Sequence, residues 1–231
     1  MYRKNISEYF DNISEVYEIE TMEKKDYLSR YNLWERNIDK YSIEFCDNLI
    51  YDLGCGNGIL SVYCVSKGYK TISIDSSSKM IRLLSDKIGN DTGNICIHNK
   101  MLPMEEDYIS SKSNTASIIL LSSVFEYVSE KEKLTEQCYN LLRPGGYLFI
   151  SIPNKVSFFR KIEIILKKLG LFSKNNFHFI INYMNEKQIK QLFLKYGFTI
   201  QEMAYYGKYD FGKRTALNKY FSSLIFLVLK K

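Results

Sequence analysis

The chain has 231 residues, 45% of them hydrophobic and 25% charged, and Lys plus Arg exceed Asp plus Glu by 32 to 26. That length is enough for a full core in one domain spanning 1–231, and the balance excludes collagenous, low-complexity and disordered classes. The formal charge of +6 is a weak argument for nucleic acid, and five cysteines without a Cys-x-x-Cys pair argue against a disulfide framework or a zinc site. With only His98 and His178, no histidine-rich metal site is expected. The amino terminus lacks an apolar signal core and no apolar run reaches spanning length, so a cytoplasmic location is expected.

Residues 1–45 read as an N-terminal helical segment, with a helix from about Glu23 to Tyr41 leading into a first strand, Leu49–Leu53. That strand runs straight into Gly54-Cys55-Gly56-Asn57-Gly58, after which Ile59-Leu60-Ser61-Val62-Tyr63 opens a helix. Glycine at alternate positions permits a sharp turn and close ligand approach, and the helix start offers N–H groups to an anionic group. A dinucleotide fingerprint would need glycine at position 59, where Ile59 stands, which disfavours a nicotinamide dehydrogenase.

Further strands are predicted over Lys70–Asp75, Asn94–His98, Ala116–Leu121, Gly146–Ile152, Thr199–Tyr205 and Ser223–Lys230, with helical patterns between most of them. Ser129 and Glu132 predict a capping box, as do Asn185 and Gln188. Strand–helix alternation predicts a parallel sheet covered on both faces, and the last two strands are expected to pair antiparallel. Ligands of such sheets bind beyond the carboxyl ends of the strands, where the glycine loop falls.

The segment 155–183 is extra to the crossover. Between Lys155 and Lys174 six basic residues face Glu163 alone. At helical spacing Phe158, Phe159, Ile162, Ile165, Leu166 and Leu169 share one face, with Arg160, Lys161, Glu163, Lys167 and Lys168 opposite and Ile164 a misfit. Two uses compete for this helix: plain packing with the lysines outside, or a lid over an acceptor pocket that also makes peripheral membrane contact through 156–170.

The run Asp52-x-Gly54-x-Gly56-x-Gly58, with Asp75 ending the second strand, Leu102-Pro103 after the third, Val124-Phe125-Glu126-Tyr127-Val128 after the fourth and Leu142-Arg143-Pro144-Gly145-Gly146-Tyr147 before the fifth, resembles the class I S-adenosylmethionine-dependent methyltransferases. The resemblance implies an α/β fold: one doubly wound, mostly parallel seven-stranded sheet, Rossmann-like, with the last strand antiparallel. It implies S-adenosyl-L-methionine as cofactor, held by Asp52, Gly54, Cys55, Gly56, Gly58, Asp75, Ser76, Met80, Asn99, Met101 and Ser122. Asp75 is an acceptor-only side chain suited to both ribose hydroxyls. Where metal-assisted quinone-type O-methyltransferases carry Glu-His, this chain has Glu126-Tyr127, which argues against a metal. No catalytic residue is assigned; His178 is the best general base by chemistry and Tyr127 a poorer one.

The absence of a Pro-Pro-aromatic run after the fourth strand, and of a Pro-Cys nucleophile, disfavours two kinds of base methylation. The expected activity is methyl transfer to a small-molecule or lipid-linked acceptor. The competing class is a methyltransferase-fold protein that binds or modifies RNA.

Overall fold

The structure, a computed structural model, describes residues 2–23, 25–89, 92–169, 179–207 and 218–231. Two helices, α1 (Tyr2–Glu23) and α2 (Lys25–Ser42), precede β1 (Leu49–Leu53). Then follow α3 (Ile59–Ser66), β2 (Lys70–Asp75), α4 (Ser78–Ile88), β3 (Ile95–Asn99), α5 (Glu106–Ser111) and β4 (Ala116–Leu121). A single 3-10 turn (Phe125–Tyr127) leads to α6 (Lys131–Leu141), β5 (Leu142–Pro153), α7 (Phe158–Lys168), α8 (Glu186–Lys195), β6 (Thr199–Tyr206), α9 (Asn218–Phe221) and β7 (Leu224–Lys230).

The strands form one seven-stranded sheet in the order β3-β2-β1-β4-β5-β7-β6. β1 pairs parallel with β2 and β4, while β7 lies antiparallel between β5 and β6. The order reverses between β1 and β4, the switch point at which such sheets bind ligands. Every residue of β4 is buried, as a strand covered on both faces requires. One face packs Leu53, Ile74, Leu134, Cys138, Phe193 and Phe198 under α6 and α8; the other packs Trp34, Ile38, Leu60, Cys64, Phe149 and Phe226 under α2 and α3.

The Asn185–Gln188 capping box forms, each side chain bonded to the other's backbone N–H. The expected box at Ser129 and Glu132 does not. The N-cap of α6 is Glu130, which makes no side-chain capping hydrogen bond to the helix start, so Glu132 falls one position too early. The cause is long-range: Asn182 Nδ2 donates to the carbonyls of Phe125 (2.8 Å) and Val128 (2.7 Å), fixing the chain just before the helix. β5 also starts earlier than predicted, because Leu142 already pairs with Ala116 across an irregular register.

Helix α7 departs from the expected division of its faces. Arg160 is buried, its Nε donating to Ser223 O (3.0 Å) and its guanidinium to Glu163 (2.7 Å). The outward side instead carries Phe158 (55% exposed), Ile162 (38%), Ile165 (56%) and, just past the helix, Leu169 (66%). Lys161 and Lys168 are exposed as well. Among the described residues no helix is long and apolar enough to cross a membrane.

Candidate active site

The glycine loop turns because three residues take left-handed φ: Gly54 at 73°, Gly56 at 55° and Gly58 at 79°. A Cβ on Gly54 would stand 2.2 Å from Val124 Cγ2, and one on Gly58 2.2 Å from Leu84 Cδ1. These two glycines therefore seat the loop against the segment after β4 and against α4. A Cβ on Gly56 would meet only Tyr17 Cε1 at 3.9 Å, so its backbone is the part open to a ligand.

Asp75, at the end of β2, accepts from Gly56 N–H (2.9 Å) on one oxygen and from Ser77 N–H (2.8 Å) on the other. Burial raises its pKa, opposed by the backbone N–H groups of Ser77, Gly56 and Ser76. Each carboxylate oxygen keeps further acceptor capacity, so a vicinal diol can still be bound. Asp52 lies beneath the loop rather than in it, 2% exposed, accepting from Ser61 Oγ at 2.6 Å. Ser73 Oγ donates onward to Ser61 Oγ at 2.8 Å. Burial lifts the Asp52 carboxyl to about 7, with the Asp75 charge adding to it.

The remaining expected cofactor residues fall around the same crevice. Cys55 is buried and its thiol, pushed well up by burial, is no nucleophile. The carbonyl of Ser76 accepts from Ser7 Oγ (2.7 Å). Asn99 ends β3 and donates to the Asp75 carbonyl (2.9 Å), while Met101 is half-buried and Met80 fully enclosed at 1%. His98 packs edge-on against Tyr108 at 6.1 Å, its pKa lowered by burial and by Lys100 and Lys112. His178 lies outside the described residues.

Helix α1, read from the sequence only as part of an N-terminal helical segment, lies against these loops. Asp11 accepts from Ser77 Oγ (2.6 Å) and Lys79 N–H (3.0 Å), Glu18 accepts from Asn57 Nδ2 (2.5 Å) and pairs with Lys87 (3.0 Å). Phe10 meets Tyr127 edge-on at 5.6 Å. The helix thus spans the loops after β1, β2 and β4.

Beyond β4 the expected Ser122 joins a second group whose Arg30 and Ser123 sequence reasoning missed. Arg30 of α2 donates to Ser122 Oγ (3.4 Å) and Ser123 Oγ. Ser123 holds a left-handed φ of 56°, a strained setting for a non-glycine, with its N–H on Ser151 Oγ (2.8 Å). Glu126, in the turn that follows, is 3% exposed. Burial pushes the Glu126 carboxyl up to about 7, against the pull of its own backbone N–H, Arg30, Arg160 and Ser123. The Tyr127 phenol is pushed well above its usual range by burial, which removes it as a base at neutral pH. Arg30 carried no local signal, being one charge on an ordinary amphipathic helix. Among the described residues no group of three or more His, Cys, Asp or Glu could hold a metal ion.

This sheet order, with the reversed β7 and a glycine loop facing an acid at the end of β2, is that of the class I S-adenosylmethionine-dependent methyltransferases. Residues 28–203 match the profile of a family described as a methyltransferase domain, and the chain belongs to that family. The fold agrees with two solved proteins: an S-adenosylmethionine-dependent methyltransferase from Mesorhizobium loti (TM-score 0.61, 16% identity, 80% of this chain and 91% of that one), and another from Archaeoglobus fulgidus (TM-score 0.58, 15% identity, 87% and 94%). By sequence it is similar to the mitochondrial ubiquinone biosynthesis O-methyltransferase of Mus musculus, 24% identical over 178 residues, 73% of this chain and 48% of the mouse protein. The chain spans about half the length of the curated relatives it matches.

Proposed function

We propose that this protein transfers a methyl group from S-adenosylmethionine to an oxygen of a small, apolar or lipid-linked acceptor. The observation that carries the proposal is Asp75 held at the mouth of the glycine loop by Gly56 and Ser77 N–H groups. An acidic acceptor beside open backbone fits a ribose diol and rejects a 2′-phosphate. The cofactor would lie with its ribose at Asp75 and Ser76. Its methionine part would follow the backbone of Gly54, Cys55, Gly56 and Gly58, with its carboxylate toward Arg30 and Ser122, and Met80, Asn99 and Met101 on the adenine side. Asp52 would act from below, by holding the loop in shape.

When bound, the cofactor supplies a methyl already activated on a positively charged sulfur. What the chain contributes is alignment and exclusion of water. α1 and the crevice floor serve both ends, since they fix the loops after β1, β2 and β4 together. The oxygen acceptor is supported by the O-methyltransferase relatives. The lipid link is supported by the outward aliphatic stripe of α7 with Lys161 and Lys168 beside it, a pattern that suits an anionic lipid surface better than a nucleic-acid backbone. Calorimetry with S-adenosylhomocysteine tests the cofactor assignment: micromolar binding is expected, and no heat at high micromolar protein overturns it.

A further inference from the structure

Buried carboxylates are costly unless fully hydrogen-bonded, so one left half-satisfied calls for a reason. Glu126 is such a group. It lies at the carboxyl end of β4, beside the switch point, with one carboxylate oxygen (Oε2) buried and without a hydrogen-bond partner. Its neighbours are Arg30 from α2 and Arg160 from α7, along with Ser123 and Tyr127. Arg160 has a second carboxylate partner in Glu163, and Arg30 also donates to the hydroxyls of Ser122 and Ser123, so neither guanidinium is bonded to Glu126 alone. Three further buried hydroxyls in the same quarter lack partners: Tyr206, which faces Arg30 at the end of β6, Ser157, one turn before Arg160, and Ser222, next to its carbonyl partner. A buried carboxylate oxygen without a partner, between two arginines at the end of the sheet where the cofactor would lie, is a place at which a polar ligand atom can be bound.

We infer that Glu126 Oε2 is the general base that takes the proton from the acceptor's attacking O–H or N–H. This deepens the function proposed above and rests on it. In the step, the acceptor's X–H bond breaks and its proton passes to Oε2. The freed electron pair of X forms the new bond to the methyl carbon, and the C–S pair leaves with sulfur, which becomes a neutral thioether. Charge balances: the carboxylate loses its negative charge as the sulfonium loses its positive one. A carboxyl lifted by burial to about 7 is a stronger base than an exposed one and is still ionised in part near neutrality.

The test uses Glu126→Gln and Glu126→Asp in the full chain, with folding followed by thermal melting. Its probes are catechols and phenols of graded acidity, from unsubstituted catechol to nitrocatechol. On unsubstituted catechol, Glu126→Gln is expected to lose about 10²–10⁴-fold in kcat with KM little changed, and Glu126→Asp to recover part of it. On nitrocatechol, already ionised at the assay pH, the loss should shrink to a few-fold. An equal loss on both probes, or none on either, overturns the assignment. A readout independent of turnover is the carbon NMR titration of labelled glutamate, where one resonance moving near neutrality should vanish in Glu126→Gln. A Glu126 resonance titrating in the ordinary carboxylate range also overturns it. If the wild-type protein leaves all phenols untouched but methylates amines, the oxygen reading fails, and Glu126 is judged by the same contrast on amines of graded basicity.

Discussion

Ser77 Oγ donates to Asp11 Oδ1 at 2.6 Å, joining α1 to the loop after β2 across 66 positions of chain. Ser77 is also the N-cap of α4, accepting from Met80 N–H (3.1 Å), and its own N–H is held by Asp75. One serine therefore ties together the helix that crosses the crevice, the helix behind it and the acid that would meet the ribose. Replacing Asp11 by Ala should cost about 1 kcal/mol, the usual price of a lost cap contact, and should increase amide exchange along α1 while leaving β1 and β4 protected. Hydrogen exchange with denaturant melts checks both parts.

Asp75→Asn should weaken S-adenosylhomocysteine binding by about 10- to 100-fold, the range for a hydrogen bond to a charged group. The amide has one acceptor oxygen where the carboxylate has two, and its NH2 would confront either the Gly56 or the Ser77 N–H. Calorimetry on a variant with an unchanged melting profile is the relevant measurement.

Asp52 sets a pH dependence. Its folded-state carboxyl is lifted to about 7 from an ordinary value of 3.8, so between those values the folded protein holds a proton the unfolded chain has released. Its contribution to stability is greatest below about 4, falls as pH rises through 7, and is flat above. Asp52→Asn removes this slope: the difference in urea stability between variant and wild type should move in the variant's favour from pH 5 to pH 8. A constant difference across that range would contradict the assignment.

Ile165→Asp, in the middle of the outward stripe of α7, should leave the melting temperature within a few degrees of wild type, since Ile165 is 56% exposed. It should abolish co-sedimentation with vesicles containing anionic lipid at low salt. Retention equal to wild type would remove the lipid-surface reading and leave the cofactor assignment intact.

The strands and the glycine loop were legible because their signals are local. Leu49–Leu53, Lys70–Asp75 and Ala116–Leu121 have the predicted bounds, as apolar strands ended by polar or glycine punctuation should. The box at Asn185 was legible for the same reason. What escaped depends on partners far along the chain. Asn182 fixes the chain before α6, Ser223 holds Arg160 inward while Phe158, Ile162 and Ile165 of α7 are left exposed, and Arg30 acquires meaning only when Ser122 and Ser123 arrive beside it. A helical wheel shows which residues share a side; it is silent on which side is covered. For Glu126 the signal was present as an acid after β4, but its missing hydrogen-bond partner is a three-dimensional fact.

Helix α1 is held over the crevice by three separate stations, Ser7, Asp11 and Glu18. These contacts bind α1 to the loops after β1 and β2, so opening this side of the glycine loop requires them to break. On the proposed function, the release of those stations is then expected to add to ligand residence time beyond the ligand's own contacts. Two orthologous chains with identical pockets could differ widely in throughput through nothing more than the polar residues on that one strap.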